Sequence, residues 1–545
     1  MHKNTIWFII IMLGFLAGAI STVQAQEKII EPNLGFVNEI IKADTILGGK
    51  QAHTVYVFRR NSTYLVNGSI QNIGYPITLK AEAGTGRIPL ISNWPDANGT
   101  LNRIVDANDN AYIYNLYIDG MGPNLTTGEP DPFYKMNGQL LRAAAAGKEL
   151  IIDGCVLNNV GQVIIRSNSG ARKVMVTNTT FANGGQLSSD NVGNGRIIDV
   201  RNGVTDTVIF RNCTMVNTLD RIFRHYNAST NSATNFIKYI ELDHNTIVHN
   251  TGAFGFLMLG DIEQGCKITN NLFVNPMSFG ADTSDKARFG EVQVFGEFDG
   301  NGVPILPLIM DQPNTSSNPT FTISNNVVSY QPEVKKFFTD NGLTGAQVIT
   351  ARLAAKVGAN PYSEADVTLK KIPNVMMNVM TWYHDMSKTA NGGGMITHAS
   401  LDMDRRSAIF WTDSLNCAYT SGNAAFKGSD GKPVGSNVWS SVLTDVTEES
   451  ALPTEFSLSN NYPNPFNPTT NIQFSLPENG AVSLAVYNLI GQEVTRIVEQ
   501  RYSAGTHSVT FNASRLSSGV YIYKLNVIGE NGHNFSASHK MTLLK

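Results

Sequence analysis

Between residues 150 and 330, short apolar strands recur in pairs around a polar turn: LIIDGCVLNN, VMVTNTTFAN, VIFRNCTMVN, IELDHNTIVHN, CKITNNLFVN and FTISNNVVS. Aligned on Cys155, Thr179, Cys213, Asn245 and Asn271, the steps are 24, 34, 32 and 26 residues. One coil of a parallel solenoid takes about two dozen residues, and longer steps are loops hung on the same coil. The alignment also brings Ile152, Val176, Phe210, Leu242, Ile268 and Ile323 into register. Each stands two residues after Leu150, Val174, Val208, Ile240, Cys266 and Phe321, as one inward strand face of period two requires. Asn178, Asn212, Asn270 and Asn325 take the turn that follows, where an amide tolerates left-handed backbone and can form a ladder with the copy one coil away. A β-sandwich needs no such shared column. The expected fold is therefore all-β: a right-handed parallel β-helix.

Outside these coils the pattern changes. LGFVNEIIKAD is amphipathic and predicts a short helix capping the first coil, because a solenoid must cover its open end. From Gln331 to about Ser450 the period fades into a helical stretch (PEVKKFFTDNGLTGAQVITARLAAKV) and irregular segments. Residues 331–450 are read as a C-terminal capping region, so the β-helix domain spans 26–450. Beyond it, NIQFSL, VSLAVYN, HSVTFN, GVYIYKLNV and HKMTLL alternate with a period of two, predicting about seven short strands in a small Ig-like β-sandwich over 451–545. Pro463, Pro465, Pro468 and Pro477 cannot donate to a ladder, which predicts an edge or entry position for its first segment and makes the opening stretch the entry of the sandwich.

Composition narrows this further. A chain of 545 residues exceeds one core. Charged residues make up 16%, and Gly numbers 48, which favours turn-rich β-structure. A net charge of −3 provides no long-range field for nucleic acid or an anionic membrane. Residues 1–25 carry His2 and Lys3, an apolar run from Ile6 to Ile20 and small residues up to Ala25, the pattern of a secretory signal peptide; the mature chain begins at Gln26. No other stretch is long and apolar enough to span a bilayer. Secretion permits disulfides, but Cys155 and Cys213 stand two coils apart, about 10 Å at the spacing of adjacent strands, beyond disulfide reach. No CxxC spacing suggests zinc.

Each coil adds a further segment, GQLLRAA, GQVIIRSN, GRIIDVRNG and DRIFRHYN, which sets Arg142, Arg166, Arg196, Arg201, Arg221, Arg224 and His225 on successive coils. Arginine offers a planar fork for carboxylate and sulfate, so such a row suits an acidic polysaccharide. β-Elimination of a uronate needs its carboxylate neutralised, a base for the C5 proton and a donor to the leaving oxygen. Arg221, Arg224 and His225 are the candidate catalytic residues, and Arg142, Arg166, Arg196 and Arg201 the candidate binding residues. Pairing of these arginines with Asp199, Asp206 and Asp220 is the competing structural reading. No aspartate pair in a glycosidase context is present. Residues 106–110 (DANDN) read as a polar turn or, failing that, a calcium loop; no cofactor is otherwise implied.

Three resemblances extend the reading. Thr63-Tyr64 and the stretch Gly74 to Ala81 (GYPITLKA) resemble the opening of pectate-lyase-like β-helix proteins, over roughly residues 30–330, and Asp430 to Gly435 (DGKPVG) resembles a terminal loop of secreted bacterial β-helix proteins. HNTIVHNTGAFGFLMLGD resembles a coil of the chondroitinase-B and alginate-lyase group, but Met258-Leu259-Gly260 stand where that group has a basic Arg-His-Gly. The tail, through YPNPFNP from Tyr462 to Pro468, NLIG from Asn488 to Gly491, LSSGVY from Leu516 to Tyr521 and KMTLLK from Lys540 to Lys545, closely resembles the type-A sorting domain of the type IX secretion system. That resemblance implies export through the periplasm to the outer surface or medium, with the translocon as partner and Lys540, Met541, Leu543 and Lys545 in the sorting signal. The protein is expected to be a monomer that binds or degrades a polysaccharide, as a lyase or as a non-catalytic adhesin, with no nucleic-acid partner.

Overall fold

The computed structural model describes residues 27–46, 49–122, 136–185, 194–226, 234–281, 307–311, 318–345, 347–357, 361–387, 414–444, 455–461 and 463–544. The expected signal peptide lies outside them. The chain divides into one compact unit reaching Leu443, without residues 422–424, and a second from Thr444 to the C-terminus.

The first unit is a β-helix of three parallel sheets with ten, ten and nine strands. One coil shows the path: Glu149–Asp153 belongs to the first sheet, Val156–Val160 to the second and Val163–Ser167 to the third, after which Lys173–Thr177 re-enters the first. The register is the one the sequence predicts. Ile152 pairs with Val176, Val176 with Phe210, Phe210 with Leu242, Leu242 with Ile268 and Ile268 with Ile323. All six are buried in one core. Each such side chain contributes roughly 1.5–3 kcal/mol of burial, and a charge at Leu242 would forfeit this while stranding an ion between two coils.

The turns between the first and second sheets are left-handed, as expected: Asn178, Asn212, Asn270 and Asn325 have φ of 50°, 54°, 58° and 55°. Their amides do not form the coil-to-coil ladder. Asn178 and Asn270 point outward, donating to Asp153 and Asp243 on the preceding coils at 2.7 and 2.9 Å. The ladder runs one residue later, inside the turn. Asn245 Nδ2 donates to Asn271 Oδ1, and Asn271 Nδ2 to Asn326 Oδ1, both at 2.9 Å. The inner position wins because its amides are shielded from water and must find partners within the stack. Cys213 and Cys155 precede them in the column as small buried groups. All four cysteines are unpaired, and burial pushes the thiols of Cys155 and Cys213 up to about 12.

Helix Val37–Ala43 seals the first coil with Val37 and Ile41, as expected. At the other end, within the 331–450 region read as the cap, Ile349 and Leu353 join the solenoid core. Helices Pro332–Asp340 and Met377–Ser387 instead pack on the flank, where Phe337, Val379 and Met380 join Leu219, Ala253 and Phe279. The segment from Leu415 to Leu443 lies along the outer face of the second sheet, with Tyr419, Phe426 and Val434 against Val216, Val248, Leu272 and Val327. Hydrogen bonds anchor it from Asn270 back to Thr214: Ser429 N to Asn270 Oδ1 (2.8 Å), Ser436 N to Thr246 Oγ1 (2.8 Å) and Trp439 Nε1 to Thr214 Oγ1 (2.6 Å). Sequence periodicity cannot distinguish a side strap from an end cap, because neither repeats.

The second unit pairs a three-stranded with a four-stranded antiparallel sheet. Ile472, Phe474, Leu476, Leu484, Val486, Tyr523, Leu525, Met541 and Leu543 fill the space between them. Thr469–Leu476 is the middle strand of its sheet, so of the two expected positions the proline-rich stretch takes the entry and not the edge. The prolines permit this because Pro463, Pro465, Pro468 and Pro477 all fall outside its span.

Candidate functional site

The third sheet positions the arginines. Its strands each turn two successive residues inward, Leu140-Leu141, Ile164-Ile165, Ile197-Ile198 and Ile222-Phe223, and all of these lie in the core. Alternation then faces the next residue outward, and the register stacks Asp106, Arg142, Arg166, Asp199, Arg224 and Met258 in one column. The following column, Ala143, Ser167, Val200 and His225, faces inward.

At the end of the column nearer the N-terminus the arginines are partly open. Arg142 grips Asp106 with two parallel hydrogen bonds, Nε to Oδ1 and Nη2 to Oδ2, each 2.6 Å. Arg103 reaches the same carboxylate at 3.4 Å and donates to Gln139 Oε1 at 2.9 Å. Two coils beyond Arg142, Asp199 Oδ2 accepts from Arg166 Nη2 at 3.2 Å and from Arg201 Nε at 2.8 Å. Four arginines thus share two aspartates. The Arg142 side chain remains 28% exposed and that of Arg166 12%. Among the described residues, the buried Nε groups of Arg103 and Arg166 have no acceptor. Burial pulls Arg166 down to about 10; Asp199 opposes this, and the charges of Arg201, Arg196 and Arg103 add to it. An anion placed here would relieve that repulsion.

The deeper end is closed. Asp220 and Arg221 are fully buried, and Asp220 Oδ2 lies 2.9 Å from Arg196 Nε and 3.1 Å from Arg221 Nη2. Arg221 Nη1 reaches Met258 Sδ at 3.3 Å, and its guanidinium lies over the Phe254 ring at 5.5 Å. Arg224 and Arg201 both pack on Tyr226, at 4.2 and 4.3 Å from the ring centroid. Such stacking suits the weakly hydrated guanidinium.

His225 stands apart from both arginine groups. It is buried, its Nε2 lies 3.2 Å from Asn235 Oδ1, and burial depresses its pKa to about 4 despite that contact. Arg221, Arg224 and His225 therefore do not form one constellation: Arg221 is locked to Asp220, Arg224 stacks outward on Tyr226, and His225 faces the interior. The binding candidates divide as well. Arg142, Arg166 and Arg201 come together at the open end, while Arg196 joins the buried pair. Sequence reasoning missed Arg103 and Tyr226. Arg103 precedes its strand and belongs to no repeated segment, and Tyr226 shows only as the second outward position after Arg224. The 106–110 turn makes no cation cage, since Asp106 is occupied by arginines and Asp109 by Lys148 at 2.9 Å. No group of potential metal ligands occurs among the described residues.

In the sandwich, Met541 and Leu543 are buried in the core and Lys540 is exposed; Lys545 lies outside the described residues. Residues 460–534 match the family described as the secretion system C-terminal sorting domain. This marks the chain as cargo of the type IX secretion machinery, destined for the cell surface or the extracellular space. No curated protein matches the chain. Among solved structures, CopC from Methylosinus trichosporium OB3b aligns at 17% identity over 16% of this chain and 93% of its own, with a TM-score of 0.13, too low to bear on fold or function. No helix among the described residues is long and apolar enough to cross a membrane.

Proposed function

We propose that the exported β-helix binds an acidic polysaccharide through the open end of its third sheet, without cleaving it. The observation that carries this reading is the group Arg103, Arg142, Arg166 and Arg201, which among the described residues shares two carboxylates, Asp106 and Asp199, and leaves the Nε groups of Arg103 and Arg166 without an acceptor. Carboxylates or sulfates repeated along an extended chain would meet guanidinium forks repeated along the solenoid at about 4.8 Å per coil. Binding is favoured over lyase chemistry because the only histidine of the arginine segments faces inward and is held neutral.

The test is titration of the purified protein with polygalacturonate, alginate, chondroitin sulfate and a neutral glucan, with absorbance followed near 235 nm. Saturable, salt-sensitive binding to an acidic chain and a flat absorbance trace are expected. A rise in absorbance would establish elimination instead, and equal binding to the neutral glucan would remove the role of the arginines.

A further inference from the structure

Four stretches mark the sorting module in the sequence, and they are dispersed from residue 462 to the C-terminus. The fold gathers them. Gly480–Tyr487 pairs with Gly519–Gly529 so that Tyr487 lies opposite Ile522, and Ile522 lies opposite Lys540. The hairpin turn 488–492, residues 519–521 and residues 540–544 therefore share one end of the sandwich. On the other sheet, Thr469 pairs with Asn512, which brings the segments before 469 and after 512 to that same end. The proline-rich segment is sewn there directly: Phe466 N donates to Thr542 O and Leu544 N to Phe466 O, both at 3.0 Å, and Asn464 Oδ1 accepts from Thr542 N at 2.9 Å.

This end exposes apolar side chains on a braced frame. Leu489 and Ile490 form the hairpin tip and are 67% and 79% exposed, in a module whose other aliphatics mostly fill its core. The tip is not a loose loop. Asn488 Oδ1 accepts from Ile490 N at 3.2 Å and from Gln492 N at 2.9 Å, and Gly491 adopts φ of 81°, which closes the turn. Val520 and Leu544 add exposed aliphatic surface, and Lys540 is exposed beside them. Ile528 is the one other large exposed aliphatic in the described sandwich, and it sits at the opposite end, paired with Ala481 and Asn534. Holding two adjacent large aliphatics in water on an ordered turn gives the fold nothing, and a rigid apolar knob with a nearby cation is how one protein presents an anchor to another.

We propose that this end of the sandwich is the surface read by the secretion machinery, with Leu489 and Ile490 inserted into an apolar pocket of the receptor and Lys540 set against an acidic rim. Met541 and Leu543, by contrast, hold the last strand in the core and act on export only by keeping the end assembled.

The test expresses the full chain, signal included, in a bacterium with a working type IX system and measures protein in the medium and periplasm. The double variant Leu489→Asn/Ile490→Ser keeps the bracing by Asn488 and Gly491, and is expected to lower extracellular protein at least tenfold with matching periplasmic accumulation. Ile528→Ser is expected to be exported like the wild type. Normal export of the double variant, shown to be folded by protease resistance of the purified full chain, overturns the proposal, as does an equal loss from Ile528→Ser. Should the double variant fail to fold, Lys540→Glu on the exposed face decides: reduced export supports the assignment and unchanged export rejects it.

Discussion

The two ends of the arginine-bearing face use one residue type for opposite purposes. At the deep end, Arg196 and Arg221 converge on Asp220, all three buried, under Phe254 and Met258. At the open end, Arg142 and Arg166 hold aspartates while their side chains stay partly exposed. A buried ion cluster tolerates no loss of a partner, because the remaining charge stays desolvated. A pair whose cation is partly exposed loses less when broken and can exchange its partner for a ligand. Position in the repeat therefore says where an arginine stands, and burial says what it does.

The comparison breaks most clearly at Arg221. Arg221→Met should destabilise the β-helix by about 3–5 kcal/mol, since Asp220 would remain buried against one fewer cation; a shift of the chemical-denaturation midpoint reads this, and an unchanged midpoint would show that the cluster is not structural. Next in size is the interior ladder. Asn271→Ala removes donors and acceptors between Asn245 and Asn326, with an expected loss of about 1–3 kcal/mol in the same measurement. At the open end, Arg166→Gln should lower the midpoint less than Arg221→Met, as Asp199 keeps Arg201 and the Arg166 side chain is itself partly open, while weakening acidic-polysaccharide binding about fivefold to tenfold, roughly 1–1.4 kcal/mol. A large fall in stability with unaltered binding would reverse the assignment of the two ends.

The remaining effect concerns pH and appears only under acidic conditions. The folded state depresses His225 from 6.5 to about 4, so its contribution is fully present above 6.5 and is lost as pH falls from there toward 4, where the unfolded chain takes up a proton that the folded chain refuses. His225→Asn should flatten part of the stability decline between pH 6.5 and 4 and leave the profile above 6.5 unchanged. An outward, catalytic histidine would show the converse, a variant with altered activity and an unaltered stability profile.

Much of the solenoid was legible because its core is periodic in two ways at once: alternation within a strand and recurrence between coils. Ile152, Val176 and Phe210 satisfy both, and both survive loops of any length between them. The strap from Leu415 to Leu443 and the flanking helices were not legible as such, since they meet the solenoid sideways, through contacts such as Trp439 with Thr214 that leave no repeat in the chain. For the site, the row of arginines could be read but not its division. Arg224 and His225 are neighbours in sequence, and the strand sends them to opposite faces. Arg103, outside every repeat, joins Arg142 on the carboxylate of Asp106 only when coils stack.

By itself the sequence determined which residues share a column, that the chain is a β-helix followed by a sandwich, and that it carries an export tail, because each of these is encoded in spacing or in a local motif. Only the tertiary structure decided which arginines are sealed and which stay open, which asparagines form the ladder, and that four scattered tail motifs meet at one end. The reason is that desolvation and convergence depend on what packs alongside from distant parts of the chain, and such sideways packing has no period to read.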